Sequence, residues 1–153
     1  MAGSARGWLV DTNVISELRK GPRAARMVRD WAERVPPAAC YISRVSLAEI
    51  QFGIDRVDDP AFRAELEAWL QDGVLAWFGA RVLEVDQRVL THWCHLAAEG
   101  KKANYTYGQP DVLLAATALV HELGVATRNV EDFVRAGVRI VNPTSRIRGL
   151  SAT

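Results

Sequence analysis

The feature that most constrains this chain of 153 residues is an alternation of short apolar runs with longer segments of helical periodicity. The apolar runs are 7–10, 40–43, 81–85, 125–127 and 138–141. Strands that alternate with helices usually pair in parallel, through right-handed crossover connections. The pattern therefore predicts a three-layer α/β/α domain around a central, mainly parallel sheet of about five strands.

Between these runs, apolar residues recur every three or four positions, which indicates helices. The predicted helices are 14–19, 22–35, 46–57, one that begins at Pro60, 87–99, 111–123 and 130–135. Pro36 and Pro37 end the second helix, because proline cannot continue a helical hydrogen-bond ladder. Asp86 is a suitable N-cap, and Gly100 and Gly124 are the expected C-terminal stops of their helices.

Composition argues against a disordered, fibrous, secreted or membrane-spanning chain. A hydrophobic fraction of 49% and a charged fraction of 24% are ordinary for a folded chain, and the length suits a single domain, 1–153, with 144–153 as a partly ordered tail. A net charge of +1 leaves nucleic-acid binding to local patches. Cys40 and Cys94 lie in apolar patterns, which predicts buried thiols in a reducing compartment, the cytoplasm. No apolar stretch approaches the roughly 18 residues of a membrane span, and 1–7 does not resemble a signal peptide.

Four acidic residues occupy related positions along the predicted fold. Asp11, Glu49 and Asp132 each follow a predicted strand, and Asp111 begins the helix that leads into the run 125–127. In a parallel sheet such positions fall on one edge, outside the carboxyl ends of the strands. Clustered carboxylates without Cys or His ligands suit Mg²⁺ or Mn²⁺, which can activate water and stabilise the oxygens of a phosphodiester displacement.

Each of these acids also has a purely structural explanation. Asp11 can cap the helix that follows it, and Glu49 would complete a capping box that begins at Ser46. The other two acids fall in first turns of predicted helices, where the helix dipole favours negative charge, with Asn129 as the expected cap of the last helix. These explanations keep open a non-catalytic nucleic-acid or protein-binding module.

Four segments carry a more specific pattern through their order and spacing. They are LVDTNVISEL at 9–18, SLAEI at 46–50 with Gly53 after it, DVLLAATA at 111–118, and TRN at 127–129 followed by Asp132 and Phe133. Together they resemble PIN-domain ribonucleases, in particular the toxin subunits of VapBC-type toxin–antitoxin pairs. The resemblance spans nearly the whole chain and implies an endoribonuclease with a PIN-like fold.

The resemblance also implies roles for individual residues. Asp11, Glu49, Asp111 and Asp132 would be the catalytic acids and the ligands of Mg²⁺, with Mn²⁺ as a possible substitute. Supporting residues would orient carboxylates, waters or phosphate, and these are Thr12, Asn13, Thr127 and Asn129. The expected partners are an RNA substrate, a second copy in a homodimer and a cognate antitoxin. The antitoxin's C-terminal segment would cover the acids and place an arginine among them.

Two segments depart from the family pattern. The segment 142–144 lacks the aromatic residue that often follows Asn-Pro in this subgroup. The loop 101–109 does not match the family pattern either, so we expect it to shape substrate choice.

Two further alternatives stay open: an RNA-processing PIN nuclease outside any toxin–antitoxin pair, and a phosphoryl-transfer domain with Asp11 as its nucleophile. Against the second, Asp11-Thr12-Asn13 lacks the second aspartate of an Asp-x-Asp loop.

Three other groups of residues invite functional interpretation. His92, Cys94 and His95 lack metal-ligand spacing and fit an ordinary helix. Tryptophans at helical spacing predict core or interface packing, and they are Trp31, Trp69, Trp77 and Trp93; Trp8 is expected to pack in its strand. A basic set follows Asp11 and could face either a phosphate backbone or solvent, and it consists of Arg19, Lys20, Arg23, Arg26 and Arg29.

Overall fold

The computed structural model describes residues 7–145, so the predicted tail lies outside the described residues from residue 146 onward. Within this range a five-stranded sheet has the order β3-β2-β1-β4-β5, and every neighbouring pair is parallel. The strands are β1 (Trp8–Val10), β2 (Cys40–Ser43), β3 (Val82–Leu83), β4 (Gly124–Ala126) and β5 (Ile140–Val141). The predicted α/β/α fold with a parallel sheet of about five strands is confirmed, although the third and fifth strands are shorter than the apolar runs.

Helices connect the strands on both faces of the sheet. The α-helices are α1 (Thr12–Leu18), α2 (Arg26–Arg34), α3 (Arg44–Asp55), α4 (Pro60–Ala68), α5 (Ala76–Phe78), α6 (Gln87–Lys102), α7 (Gln109–His121) and α8 (Glu131–Arg135). A π-helical segment, Trp69–Leu75, joins α4 to α5. The predicted helix 22–35 is instead divided, because Ala24 is extended between a 3₁₀ turn, Gly21–Arg23, and α2.

The core has two halves, one on each face of the sheet. Successive side chains of a strand point to opposite faces, so Leu9 and Val125 pack with α6 and α7 while Val10 and Ala126 pack with α1, α2 and α3. Helix α7 is buried along most of its length, as its apolar sequence predicts. This arrangement places α1, α3, α7 and α8 around the carboxyl ends of β1 and β4.

Several boundaries differ from the sequence prediction for local steric reasons. Helix α6 continues through Gly100 to Lys102, and Gly100 is required because a Cβ there would lie 2.9 Å from the carbonyl oxygen of Tyr105. Helix α7 ends at His121, where Glu122 adopts the left-handed conformation with a φ of 56°. Gly124 is therefore not the helix stop; it begins β4.

One prediction of burial is wrong: Cys40 is buried as expected, but Cys94 is exposed on α6. The tryptophans were expected in the core or at an interface. Trp31 is buried, Trp69 and Trp93 are partly buried, and Trp77 is 47% exposed on α5, so it does not lie in the core of this chain. Residues 7–145 contain no helix that is both long and apolar enough to cross a membrane.

A tight contact at Gly124 yields a test of the β1–β4 packing. A Cβ at this position would lie 2.5 Å from Cζ3 of Trp8 and 3.1 Å from the carbonyl oxygen of Arg139. We expect Gly124→Ala to lower the free energy of unfolding by about 2 kcal/mol, since overpacking forces the backbone or ring to move. Urea denaturation measures this change.

Gly53 provides the matched control for that substitution. It lies within α3, and a Cβ there would meet nothing within 4 Å. We expect Gly53→Ala to stabilise the protein by up to about 1 kcal/mol, because alanine costs less backbone entropy than glycine in a helix. Equal effects of the two substitutions would contradict the proposed contact between Gly124 and Trp8.

Candidate active site

The site begins where β1 and β4 end side by side. Asp11 follows β1 directly and Thr127 follows β4, and the register pairs Val10 with Ala126. The amide of Asp11 donates to the carbonyl of Ala126 at 2.9 Å, which extends the parallel pairing by one step. The two polar side chains therefore meet at the same edge of the sheet, although 116 positions separate them in sequence.

Asp11 is held by hydrogen bonds to both carboxylate oxygens. Oδ1 accepts from the amide of Thr12 at 2.7 Å, and Oδ2 accepts from Oγ1 of Thr127 at 2.8 Å and Nδ2 of Asn13 at 3.3 Å. Asp11 is only 5% exposed, and burial raises its pKa although these donors oppose the shift. Asp11 caps α1 as the structural explanation proposed, but its contacts to distant residues exceed what a cap needs.

Glu49 faces Asp11 from the second turn of α3. Oγ1 of Thr12 donates to its Oε1 at 3.3 Å. Burial and the neighbouring Asp11 raise the pKa of Glu49. The capping-box explanation is wrong, because α3 begins two residues earlier: Ser43 is the N-cap and accepts from the amide of Val45 at 3.0 Å.

Asp111 and Asp132 come from two different helices. Asp111 lies in the first turn of α7, and Asp132 is the second residue of α8. The amide of Gly108 donates to Oδ2 of Asp132 at 2.9 Å, and the hydroxyl of Tyr105 donates to its Oδ1. Val130, not Asn129, precedes α8, and it makes no side-chain cap, so the predicted cap at Asn129 is wrong.

The charges of the other three acids all act on Asp111, so the four acids share one site. Burial raises the pKa of Asp111 to about 7, and the charges of Asp11, Asp132 and Glu49 contribute to the same shift. A hydrogen bond with Asp132 also raises the pKa of Asp111, so these two carboxyl groups are in contact. Carboxylates that repel one another in this way bind a proton or a cation readily.

The four predicted supporting residues all lie at this edge of the sheet. Thr12 contacts Glu49, and Thr127 contacts Asp11. Asn13 bridges β1 and β4, since its Nδ2 also lies 3.4 Å from Oγ1 of Thr127 and its Oδ1 accepts from the amide of Arg128 at 3.2 Å. Asn129 donates its amide to Oγ1 of Thr127 at 3.0 Å and lines the adjoining cleft.

The acids open into a cleft of about 770 Å³. Three of the acids line it, namely Asp11, Glu49 and Asp111. Its lining also includes the basic residues Arg19, Lys20 and Arg128 and several apolar residues, among them Phe62, Leu66 and Trp69. The guanidinium of Arg19 lies about 6 Å from the rings of Phe62 and Trp69. The cleft thus places positive charge and apolar surface beside the acids.

The basic set after Asp11 is divided between the cleft and structural contacts. Arg19 and Lys20 line the cleft, and Lys20 also pairs with Glu17 at 2.7 Å. Arg26 lies 3.7 Å from Asp30, and Arg29 donates to the carbonyl of Ala24 at 3.1 Å. The structure therefore favours two of the five predicted cations for contact with a ligand in the cleft.

The donor set suits a hard divalent cation. The acids offer only oxygen atoms, and Mg²⁺ typically binds one or two carboxylates while keeping several waters. Within residues 7–145 no group of three or more Asp, Glu, His or Cys side chains forms a ready-made metal cluster. A divalent ion at this site would therefore have one or two carboxylates as direct ligands and would keep several waters.

Sequence reasoning missed three residues of this site. Tyr105 and Gly108 hold Asp132 from the loop before α7, and Arg128 lowers the pKa of Asp11 through its charge. The loop was expected to affect substrate choice, but nothing in its local pattern indicated a contact 27 residues away. Arg128 lay within a recognised motif without an assigned role.

Comparison with known proteins identifies the family of this chain. The family model described as PIN domain matches residues 8–138, and the chain belongs to that family. The VapC ribonuclease Y4jK of Sinorhizobium fredii is 34% identical over 135 residues, covering 88% of this chain and 96% of the relative.

Solved structures agree in fold. The crystal structure of FitAcB from Neisseria gonorrhoeae superposes with a TM-score of 0.82 at 30% identity, over 88% of this chain and 96% of that one. A toxin–antitoxin complex from Klebsiella pneumoniae gives 0.64 at 27% identity, over 90% and 98%. Within the PIN-domain family, the chain is of the VapC type that its sequence resembles.

The raised pKa of Asp111 predicts how the stability of the metal-free protein changes with pH. Because its pKa is higher in the folded protein, the folded state binds the proton more tightly than the unfolded chain does. This contribution is therefore favourable at low pH and is lost as pH rises from about 4 to about 7. We expect Asp111→Asn to stabilise EDTA-treated protein by about 1 kcal/mol at pH 8, because solvent screens a half-buried group.

Chemical denaturation at pH 5 and pH 8 measures this difference. The gain from Asp111→Asn should be larger at pH 8 than at pH 5, and Mg²⁺ should stabilise wild type more than the variant at pH 8. Asp58→Asn, at an exposed position away from the cleft, is the matched control and should show no such pH dependence. A variant less stable than wild type at pH 8 would show that Asp111 is not under repulsion.

Proposed function

We propose that this chain is an Mg²⁺-dependent endoribonuclease, the toxin of a VapBC-type pair, and that it acts in the cytoplasm. The observation that carries the metal-dependent chemistry is the convergence of Asp11, Glu49 and Asp132 on the partly buried Asp111. Burial and these three charges together raise the pKa of Asp111 to about 7. The name of the Sinorhizobium relative supports RNA as the substrate. The whole chain acts as a single PIN domain.

In the proposed mechanism the four acids have different roles. Asp11 and Asp111 would hold the ion, and Glu49 and Asp132 would complete the site directly or through water. A bound Mg²⁺ ion would supply positive charge to the phosphate oxygens and make water a better nucleophile. Thr12, Asn13 and Thr127 fix Asp11 and Glu49 in orientation, so the site needs little rearrangement as charge develops.

Proton transfer fits the position of Glu49. It is partly buried, lines the cleft and has a raised pKa, which suits a group that accepts a proton near neutral pH. As water attacks phosphorus, Glu49 takes the proton of the water, the bond from phosphorus to the leaving ribose oxygen breaks, and solvent protonates that oxygen.

The cleft supplies the contacts for an RNA strand. Lys20 and Arg128 lie on the same cleft as Asp11, so they can neutralise phosphates next to the scissile bond. Phe62 is partly exposed there and offers a ring to an unpaired base. These contacts favour a single-stranded segment, because bases within a duplex cannot reach an aromatic side chain.

We further propose a cognate antitoxin and a homodimer. The description of the Klebsiella neighbour as a toxin–antitoxin complex supports a protein partner. An arginine from such a partner would find four mutually repelling carboxylates, and a guanidinium binds carboxylates through paired hydrogen bonds. A partner that does this blocks cleavage by replacing the cation.

The central claim is tested by Asp11→Asn. Metal-ion catalysis contributes several kcal/mol, so we expect the substitution to lower the rate of RNA cleavage at saturating Mg²⁺ by about 100-fold to 1000-fold. Cleavage of a fluorogenic single-stranded RNA measures the rate, and EDTA should abolish activity of the wild type. Asparagine keeps the size and one oxygen of aspartate, so the fold should persist.

Asp58→Asn is again the control and should cleave RNA at the wild-type rate.

Expression in cells gives a second readout: the wild type should arrest growth and Asp11→Asn should not. Arrest relieved by the product of an adjoining reading frame would support the toxin–antitoxin pair over an RNA-processing nuclease. Wild-type cleavage by Asp11→Asn would refute the mechanism, and absence of Mg²⁺ binding in calorimetry would favour a non-catalytic module.

Arg128 offers a test of RNA binding separate from cleavage. In the Asp11→Asn background, we expect Arg128→Gln to weaken RNA binding and to reduce the slope of log K against log salt by about 1, as loss of one phosphate contact requires. Arg26→Gln is the matched control, because Arg26 pairs with Asp30 and does not line the cleft. Fluorescence anisotropy across salt concentrations measures both, and equal slopes for the two variants would exclude the phosphate contact at Arg128.

A further inference from the structure

The loop between α6 and α7 holds the fourth acid of the site. The hydroxyl of Tyr105 donates to Oδ1 of Asp132, and the amide of Gly108 donates to Oδ2 at 2.9 Å. Both carboxylate oxygens of Asp132 are thus bound by one loop. The contacts cross from this loop to α8, so they are not part of the local structure of either element.

Tyr105 is itself fixed from two sides. The guanidinium of Arg135 lies 4.3 Å from the centre of its ring, and the ring of Tyr107 packs against it edge-on with centroids 4.9 Å apart. Arg135 and Asp132 lie three residues apart on α8, so this helix contacts both the ring and the hydroxyl of Tyr105. The tyrosine therefore has a defined orientation toward Asp132.

Gly108 brings the loop close to two of the acids. A Cβ at this position would lie 3.2 Å from Oδ2 of Asp132 and 3.7 Å from Oδ2 of Asp111. The absence of a side chain lets the backbone amide reach Asp132, while Asp132 remains beside Asp111. The loop thus holds Asp132 in place beside Asp111.

The kind of donor matters for a site that must accept a cation. A lysine or arginine in place of Tyr105 would hold Asp132 by neutralising it and would compete with the metal ion. A hydroxyl and a backbone amide are neutral donors, so they orient the carboxylate and leave its charge in the site. Each carboxylate oxygen has further lone pairs, so Asp132 can still contact the ion or one of its waters.

We propose that Tyr105 is a positioning residue that holds Asp132 beside Asp111 and thereby sets the affinity of the acidic site for a divalent cation. The inference deepens the proposed function and depends on its metal site, but not on RNA being the substrate. Groups that orient metal ligands typically alter metal affinity or activity by about 10-fold to 100-fold when they are removed.

The experiment is a calorimetric titration of the whole chain with Mn²⁺ alone, without RNA. We expect Tyr105→Phe to raise the Kd for Mn²⁺ by about 10-fold, because only the donor to Asp132 is lost while the ring and its contacts stay. Tyr107→Phe is the matched control: it removes a hydroxyl from the same loop and should leave the Kd unchanged. Thermal denaturation in EDTA checks that both variants fold.

A double-mutant cycle separates positioning from a general effect on the loop. Asp132→Asn should also weaken Mn²⁺ binding, and adding Tyr105→Phe to it should cause little further loss, since the residue to be positioned is already altered. Gly108→Ala gives a second route to the same result, because its Cβ would lie 3.2 Å from Oδ2 of Asp132 and the carboxylate would have to shift by a few tenths of an ångström. This variant keeps the test valid if Tyr105→Phe does not fold.

The outcomes distinguish this inference from the proposed function. A wild type that does not bind Mn²⁺ refutes the metal site and this inference with it. Mn²⁺ binding by wild type with an unchanged Kd in folded Tyr105→Phe overturns the role of Tyr105 alone. A full 10-fold loss from Tyr105→Phe in the Asp132→Asn background would also overturn it, because Tyr105 would then act through another residue.

Discussion

The properties of this site depend on repulsion among carboxylates that meet at one edge of a parallel sheet. Asp11, Glu49 and Asp111 reach that edge from β1, α3 and α7. Burial, together with the charges of Asp11, Asp132 and Glu49, raises the pKa of Asp111 to about 7. Such a cluster costs folding free energy unless a proton or a cation offsets it. In the proposed function, the free-energy cost of bringing these charges together in the metal-free protein is what favours the binding of a divalent ion.

Uncharged hydrogen-bond donors stabilise the carboxylates of Asp11 and Asp132 without neutralising their negative charge. Thr127, Asn13 and the amide of Thr12 bind Asp11, while Tyr105 and the amide of Gly108 bind Asp132. Cationic side chains line the cleft, but none of the ion pairs within residues 7–145 involves any of the four acids. The acids therefore keep their negative charge, and positive charge lies along the path proposed for a phosphate backbone.

Much of the fold was predictable because hydrophobic periodicity and sheet geometry are local or nearly local rules. The five apolar runs became parallel strands, and the acids after β1 and β2 reached one edge because side-chain alternation and parallel pairing leave few other places for them. Errors arose where a local motif competed with packing. Ser46 looked like a cap, yet it is buried inside α3, and Gly124 looked like a helix stop, yet it makes room for Trp8.

The sequence by itself determined the α/β/α architecture, through hydrophobic periodicity, and the PIN-domain family, through the order and spacing of its motifs. It also singled out the four acids, whose role in catalysis and metal binding is a proposal. Only the tertiary structure decided how the acids are held. Tyr105 and Asp132 are 27 residues apart on a loop and a short helix, and Asp11 and Thr127 are 116 apart. No periodicity links such pairs, since their contact depends on how α6, α7 and α8 pack beside β1 and β4.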